Sequence, residues 1–171
     1  MNHLATSKED ILAASRDLIK ENGWAAVSIR AVASRCSVSA GTIYNYYESK
    51  ADLLSDTIES IWHEIFFHPE DEQIFHDVES CISWIYERLE YGNRQFPGFF
   101  SLHSFGFMRD EKTSGKKRMM KTWGHILNGL CEVLENDPKV RADVFDQEFT
   151  EKKFADILFS LILVSMIRQD Y

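Results

Sequence analysis

Apolar residues recur at intervals of three and four positions along most of this chain, which is the spacing of one face of an α-helix. The pattern breaks at glycine, serine, asparagine and proline residues, which are typical of helix ends and turns. Predicted helices run from Thr6 to Asn22, Ser28 to Cys36, Ala40 to Tyr47, Lys50 to Pro69, Gln73 to about Tyr91, Met119 to Asn136 and Glu148 to about Arg168. No stretch alternates like a strand or repeats internally, so the predicted fold class is all-α.

The first predicted helix has a clear start and stop. The run Thr6-Ser7-Lys8-Glu9 fits a capping box, and Gly23 after Asn22 can adopt the left-handed conformation that closes a helix. Its inner face would comprise Ile11, Leu12, Ser15, Leu18 and Ile19. We expect this helix to brace the two that follow, giving a three-helix module up to about Tyr47.

The stretch from Val27 to Leu54 carries most of the functional information. Ser28 can cap a helix that ends near Cys36, Ser37-Val38-Ser39 forms a turn, and Ser39 can cap a second short helix. Ile43 and Tyr47 share the inward face of that second helix at about 100° per residue. The outward positions are Gly41, Thr42, Asn45 and Tyr46. This is the helix-turn-helix plan, in which the second helix lies in the major groove of DNA.

The outward side chains suit contacts to DNA. Ala40 and Gly41 let backbone approach backbone, and Arg30 could reach a guanine edge or a phosphate. Hydroxyl groups that can donate to phosphate oxygens are those of Ser39, Thr42, Tyr44 and Tyr46. Ser49 can cap the next helix, but Lys50 would then oppose the helix dipole in the first turn. A bound phosphate reverses that penalty, because lysine and free backbone N–H groups would act on the same anion.

These positions together resemble the DNA-binding region of the TetR family of transcriptional regulators, over roughly the first third of the chain. The agreement includes a Thr-x-Tyr step at Thr42 and Tyr44, with Lys50 six residues after the tyrosine. The matching residues are Ile29-Arg30, Val32-Ala33, Val38 to Tyr44, Tyr46-Tyr47, Ser49-Lys50 and Leu53-Leu54. One departure is Ser37, where the family usually has glycine; a positive φ there would cost serine more than glycine.

The resemblance implies roles for single residues and a layout for the chain. Thr42, Tyr44, Tyr46 and Lys50 would contact phosphates. Arg30, Ala40, Gly41 and Asn45 would lie at or near base edges. Residues 1–49 would form the DNA-binding domain, and residues 50–171 a larger helical domain for effector binding and dimerisation, with the fourth helix linking the two.

Charge is consistent with specific rather than general binding to DNA. The net charge is −8 and the pI is about 5.2, which argues against a protein that binds any polyanion. Between Val27 and Lys50, however, the charged residues are Arg30, Arg35, Lys50 and one acid, Glu48. The expected contact face is therefore positive on an acidic protein.

The cysteines and the apolar stretches indicate a soluble cytoplasmic protein. Cys36, Cys81 and Cys131 are widely spaced and odd in number, and we interpret them as reduced core residues. The N-terminus has no apolar signal segment. The longest apolar stretch, residues 157–167, is interrupted by serines and is too short to cross a membrane.

A cluster of aromatic residues in the predicted second domain suggests a pocket for an apolar or aromatic effector. Gly92 and Pro97 are expected to bracket the turn before the richest segment, and His125 could add a polar contact. Candidate ligand-binding residues are Trp62, Phe66, Trp84, Phe100, His103, Phe105 and Trp123. The alternative is that these residues form an ordinary core, since helical spacing accounts for most of them.

Other chemistry is not indicated. His63 and His68 are five residues apart, so they do not share the helix face that a zinc protease motif requires. No nucleophile, base and oxyanion site occur together, and we therefore expect no enzyme, no metal and no cofactor. The basic run from Lys112 to Lys121 is best interpreted as a solvated loop, from Arg109 to Lys117, and a first helical turn.

The sequence therefore predicts a transcriptional regulator that binds an inverted-repeat DNA operator as a homodimer and is controlled by a small-molecule effector. By resemblance, repression is the usual outcome. An activator, control by a protein co-regulator, or a helical protein–protein interaction module stay open as alternatives. The family usually dimerises through its last two helices and has one helix more than is predicted here, so we expect a shortened C-terminus or a differently built dimer.

Overall fold

The computed structural model describes residues 6–67, 75–100 and 114–168; the side chains of residues 114–119 and 122 fall outside this description. Within these ranges all regular structure is helical, as predicted. The helices are α1 (Lys8–Asn22), a short 3-10 turn (Trp24–Ala26), α2 (Ile29–Arg35), α3 (Ala40–Tyr44), α4 (Lys50–Phe66), α5 (Val78–Gln95), α6 (Ser114–Asn136) and α7 (Glu151–Arg168).

Capping side chains define most helix starts. In α1 the capping residue lies one position later than predicted. The capping box of α1 is Ser7 with Asp10, not Thr6 with Glu9: Asp10 N donates to Ser7 Oγ at 3.1 Å, and Ser7 N donates to Asp10 Oδ2 at 2.8 Å. Ser28, Ser39 and Ser49 cap α2, α3 and α4 as expected. Gly23 ends α1 with a positive φ of 77°.

Helix ends differ more from the sequence prediction. The third helix stops at Tyr44 rather than Tyr47, because the chain turns at Asn45 and thereby buries Tyr47. The fifth begins at Val78, where Asp77 accepts from Ser80 N at 2.8 Å. The sixth already includes residues 114–117, which were expected to be loop. The last starts at Glu151, because Asp146 Oδ1 holds the N–H groups of Glu148 and Phe149 in a turn.

The central helix of the fold is α4, which contacts α1, α5 and α6. Its buried apolar residues occur at helical spacing along its whole length, which places it at the centre of the hydrophobic core. They are Leu53, Leu54, Ile58, Ile61, Trp62, Ile65 and Phe66. The predicted stop at Pro69 lies outside the described residues, as do Gln73 and Ile74.

Ion pairs join α4 to α1. Asp56 is only 5% exposed, and its Oδ2 lies 2.6 Å from Lys8 Nζ. About two turns further along α4, Glu64 pairs with Arg16 at 3.2 Å and with Lys20 at 2.7 Å. Leaving a buried carboxylate without its partner strongly destabilises the folded protein. The Asp56 pair therefore fixes the position of α1 along α4.

Helices α4 and α5 approach closely at Gly92, which lies inside α5 and not in the predicted turn; the turn begins after Gln95. A Cβ at residue 92 would come within 2.5 Å of Ile65 Cδ1 on α4 and 3.1 Å of Phe100 Cε2. Glycine therefore lets α5 pack directly against the C-terminal half of α4.

We predict that Gly92→Ala lowers the free energy of unfolding by about 1 kcal/mol, because overpacking costs about 1–3 kcal/mol and the gain in helix propensity returns up to about 1 kcal/mol. In an Ile65→Val background, which removes Cδ1, the same change should be neutral or stabilising. Urea unfolding of the four variants measures this coupling. Gly129→Ala is the control, since its Cβ would meet open space; equal effects of Gly92→Ala in both backgrounds would contradict the prediction.

The turn between α2 and α3 contains the positive φ that the sequence suggested. Ser37 has φ 56°, and among the described residues no other non-glycine residue has a positive φ. Ser37 N donates to Ser34 O at 3.1 Å, and Val38 N donates to Ala33 O at 2.9 Å. This is the Schellman pattern of helix closure, in which the position held by Ser37 favours glycine.

Replacing Ser37 with glycine should raise the free energy of unfolding by about 0.5 to 1 kcal/mol, since a left-handed conformation costs an L-residue about 1–2 kcal/mol and glycine loses part of that gain to chain entropy. Thermal and urea denaturation provide the measurement. Ser34→Gly, inside α2, is the control and should destabilise instead. A destabilised Ser37→Gly protein would show that the hydroxyl of Ser37 matters more than its backbone.

Candidate DNA interface and effector cavity

The third helix is held in place by two side chains and by the turn before it. Ile43 and Tyr47 are fully buried against the α1 and α2 side of the module, as predicted. The Ser39 hydroxyl accepts from Thr42 N at 3.2 Å and lies 3.0 Å from Thr42 Oγ1, so one of the two hydroxyls donates to the other. A helix of five residues is not stable alone, and this packing holds it.

The opposite side of α3 is open to solvent. Gly41 and Asn45 are exposed, Thr42 is half-buried, and Tyr44 is 55% exposed although its ring is largely apolar. Arg30 on α2 and Lys50 at the first position of α4 are also exposed. Residues that the sequence predicts to contact DNA therefore lie together around one short helix, α3, and the N-terminus of the next, α4.

Glycine at position 41 has no explanation inside the protein. A Cβ there would meet only Ser39 Oγ, at an ordinary contact distance of 3.6 Å. Glycine in a helix nevertheless costs about 1 kcal/mol relative to alanine. The absence of a side chain therefore favours a close approach from outside, on the exposed face of α3.

Tyr46 only partly meets the expectation of an outward position. It is half-buried, and its hydroxyl donates to Thr6 O at 2.6 Å, so it joins the residue preceding the capping box of α1 to the end of α3. Its single hydroxyl proton is thereby used within the protein. The oxygen can still accept a hydrogen bond, whereas donation to a phosphate would require breaking the contact with Thr6.

The positive charge of this face comes from fewer residues than the sequence suggested. Arg35 forms an ion pair with Glu21 through both terminal nitrogens and lies 3.8 Å from Asp17, both on α1. The hydrogen bonds from Arg35 lower the pKa of the Glu21 carboxyl, as expected for a formed pair. Arg35 is thus neutralised by α1, and the exposed cations around α3 are Arg30 and Lys50.

A cavity of about 460 Å³ lies between the C-terminal end of α4, the start of α5 and the middle of α6. Its aromatic wall is continuous, with Trp84 5.8 Å from Phe66 and 5.3 Å from Phe75 between ring centroids. The remaining lining residues are Phe67, His76, Cys81, Ile85, His125, Ile126, Gly129, Leu130, Glu132, Val133 and Asn136. Burial raises the pKa of the Cys81 thiol to about 11, so that wall is uncharged.

The loop after α6 is bonded to the start of α5, beside the cavity. Asp137 is buried, and its carboxylate accepts from Val78 N and Lys139 N at 2.9 and 2.8 Å. Lys139 Nζ in turn lies 2.9 Å from Asp77. These bonds hold the first turn of α5 to the end of α6 and bring His76 and Asn136 to the same cavity.

The predicted ligand-binding residues divide into three groups. Phe66 and Trp84 line the cavity, whereas His103 and Phe105 lie outside the described residues. Trp62, Phe100 and Trp123 pack instead against one another, with ring centroids of Trp62 5.8 Å from Phe100 and 6.3 Å from Trp123. Trp123 Nε1 is buried and has no hydrogen-bond partner among the described residues.

Several lining residues were missed because each has an ordinary place in a helix pattern. The α6 positions Ile126, Leu130 and Val133 fit a core stripe, and only Gly129 interrupts it. A glycine within an otherwise strong helix was the available signal, since it costs stability and often marks a packing or functional need. His125, considered for a polar contact, does line the cavity.

Other kinds of site find little support in the described part of the chain. No group of three or more His, Cys, Asp or Glu side chains is arranged there to hold a metal ion. The three cysteines are unpaired; Cys81 is buried, and Cys36 and Cys131 are half-buried. Among the helices that the structure describes, none combines the length and apolarity needed to cross a bilayer.

Comparison with known proteins places the N-terminal module. The profile described as "Bacterial regulatory proteins, tetR family" matches residues 11–57. The HTH-type transcriptional regulator UidR of Escherichia coli strain K12 is 38% identical over 48 residues, which is 28% of this chain and 24% of that protein. The HTH-type transcriptional repressor KstR of Rhodococcus jostii is 45% identical over 47 residues, 28% of this chain and 22% of that protein. The matched segment thus spans about a quarter of these relatives.

Solved structures resemble the chain over nearly its whole length. The transcriptional regulator FadR of Bacillus subtilis, in complex with stearoyl-CoA, has a TM-score of 0.63 at 18% identity, covering 96% of this chain and 90% of that chain. SCO7222, a TetR from Streptomyces coelicolor, has a TM-score of 0.65 at 16% identity, covering 96% and 72%. At such identities the likeness concerns the fold. The chain is thus similar to bacterial regulatory proteins of the TetR family, by sequence over residues 11–57 and by fold over nearly its whole length.

Proposed function

We propose that this protein is a transcriptional regulator that binds an inverted-repeat operator in double-stranded DNA as a homodimer, with α3 of each subunit in a major groove. The observation that carries the proposal is the exposed face of α3, where Gly41 has no role inside the protein. Residues 1–49 act as the DNA-binding domain. Residues 50–171 act as the effector-binding and dimerisation domain, and α4 links the two domains.

The roles of the DNA-contacting residues follow from their positions. Lys50 and the free N–H groups at the start of α4 bind one phosphate, and Tyr44 donates from its exposed hydroxyl to another. Arg30 and Asn45 reach base edges, and Ala40 and Gly41 allow the backbone to approach them. The hydroxyl groups of Ser39 and Thr42 provide a further contact to phosphate, and Tyr46 can donate to a phosphate only when its hydrogen bond to Thr6 O is broken.

Dimerisation is supported by the surface of α7. Four apolar residues, each between 37% and 58% exposed, lie on one side of this helix: Ile157, Leu161, Val164 and Ile167. Such a continuous apolar stripe is unfavourable in water and is typical of a helix that packs against a partner. We assign it to contact with a second copy of the chain, which would place two α3 helices on one face of the dimer.

Release from DNA is supported by the connection between the cavity and α3. Two residues of the cavity wall lie at the end of α4: Phe66 is its last residue and Phe67 follows it. The first residue of the same helix is Lys50. The ion pairs between α1 and α4 make the DNA-binding domain follow any tilt of α4. An effector in the cavity would then favour an arrangement in which the two α3 helices no longer match the operator spacing.

Repression is the outcome that we propose, because the relative KstR is named a repressor and the stearoyl-CoA complex of FadR shows that a neighbour in fold binds a small molecule. An activator, or a regulator whose effector is a protein co-regulator, is the second candidate; the exposed apolar residues Val144 and Phe149 before α7 favour a protein contact. We propose no enzymatic activity, no resident cofactor, no association with membranes, and a cytoplasmic location in which the three thiols stay reduced.

Selection from random duplex DNA with the purified chain should enrich an inverted repeat. Lys50→Ala should weaken binding to it and flatten the dependence of log K on log salt by about 0.9 for each subunit, because one phosphate contact is lost. Tyr44→Phe should weaken binding with a smaller change in slope. Fluorescence anisotropy over a salt series provides both readings.

Lys152→Ala is the matched control, since it removes the same charge from an exposed position on α7. It should leave the salt slope unchanged. If a folded, dimeric protein enriches no sequence at low salt, or if both lysine variants change the slope equally, the proposed DNA interface is wrong.

The dimer surface is tested by Leu161→Glu, at the most exposed position of the stripe on α7. A buried carboxylate without a partner should shift the protein from dimer to monomer at micromolar concentration in sedimentation velocity, with helix content unchanged in circular dichroism. Operator binding should weaken in parallel. Lys152→Glu, on the same helix but outside the stripe, should remain dimeric; a monomeric parent protein would contradict this assignment.

A further inference from the structure

The charge of the cavity wall is unusual for a site that would accept an anion. Among the described lining residues there is no lysine and no arginine, and Glu132 is the only acidic side chain. Lys139 lies close to this region, but its ammonium group is paired with Asp77 at 2.9 Å. Among these described lining residues, a carboxylate or phosphate entering the cavity would meet the charge of Glu132 with no lysine or arginine to offset it.

Polar and apolar residues are separated within the cavity. Phe66, Cys81, Ile85, Leu130 and Val133 are buried and form the inner wall. The polar lining residues are all exposed at the rim: His76, His125, Glu132 and Asn136. A ligand would accordingly place an apolar ring system inside and a polar group at the rim.

Aromatic walls give this preference a direction. The rings of Phe66, Phe75 and Trp84 line the cavity, and aromatic rings can attract a cation placed over their faces as well as apolar groups. At the rim, the Glu132 carboxylate and the Asn136 side-chain oxygen accept hydrogen bonds. The volume of about 460 Å³ lies within the range of about 300–1,000 Å³ typical of small-molecule sites.

We propose that the effector of this protein is a ring-containing amphiphile whose polar end donates hydrogen bonds, with an ammonium group preferred over a hydroxyl and a carboxylate disfavoured, and that Glu132 sets this preference. The proposal rests on the proposed function only in calling the ligand an effector. Because a CoA thioester carries several negative charges, this cavity is expected to differ in ligand class from the stearoyl-CoA complex of the FadR neighbour.

Three probes with one ring system test the preference: naphthylethylamine, naphthylethanol and naphthylacetate. Titration calorimetry with the full chain, in the absence of DNA, measures their dissociation constants. We expect the amine to bind roughly twofold to fivefold more tightly than the alcohol, as for a partly exposed ion pair, and the carboxylate to bind more weakly than both. Glu132→Gln should remove the advantage of the amine and leave the affinity for the alcohol unchanged.

Two glycines of α6 provide a matched test of location. A side chain at Gly129 would extend into open space at the cavity wall, whereas Gly124, also without atoms within 4 Å of its Cβ position, is not part of that wall. Both changes to methionine improve helix propensity and should not lower the melting temperature. Gly129→Met should weaken binding of the amine at least tenfold, and Gly124→Met should leave it within twofold.

Binding of naphthylacetate as tight as that of the amine, an unchanged preference in Glu132→Gln, equal effects of the two methionine variants, or no binding of any probe would each overturn the proposal. These readings are made without DNA, so they do not depend on the operator. If no DNA sequence is selected but the amine still binds, the proposed DNA-binding function is wrong and the proposed ligand class stands. Tight amine binding that leaves operator binding unchanged would retain the ligand class and reject its role as effector.

Discussion

The position of α1 on α4 is the constraint on which the rest of the structure depends. A buried aspartate, Asp56, pairs with Lys8 at the N-terminal part of α4, and Glu64 pairs with Arg16 and Lys20 towards its other end. Two points of attachment along one helix prevent both sliding and rotation. Since α1 also packs against α2, which in turn contacts α3, the helix that we propose to enter the major groove has a fixed orientation relative to α4.

This attachment changes how a signal can travel. If α4 could move alone, an effector would have to break its contacts with the DNA-binding domain. Instead, α4 and that domain form one body, and its boundary with the remaining helices is where movement can occur. The 17 residues of α4 span about 25 Å, so a tilt of about 10° displaces one end by about 4 Å relative to the other. Gly92 places α5 directly against α4 at Ile65, beside the cavity wall formed by Phe66.

Local signals explain why much of the fold could be predicted and the candidate cavity could not. Serine caps at Ser28, Ser39 and Ser49, and the positive φ at Ser37, depend on a few neighbouring residues, so the sequence contains them. The partner of the Tyr46 hydroxyl, by contrast, is the distant residue Thr6, which no local pattern reveals. Likewise, Trp62 and Trp84 have equal chemistry in the sequence; only packing puts the first in the core and the second on the cavity.

The positive charge around α3 likewise depends on both nearby and distant residues. This charge bears on the proposed binding of DNA by an acidic protein. Counting charges between Val27 and Lys50 gave Arg35 the same weight as Arg30, but Arg35 is paired with Glu21 of α1. The proposed DNA-binding domain thus uses one arginine to hold its own helices together and presents only a small positive surface. Few phosphate contacts mean weak attraction to DNA in general. Specific binding would then depend on close fit around Gly41 and on the spacing of two subunits, and a regulator of this kind can be released by a small change in geometry.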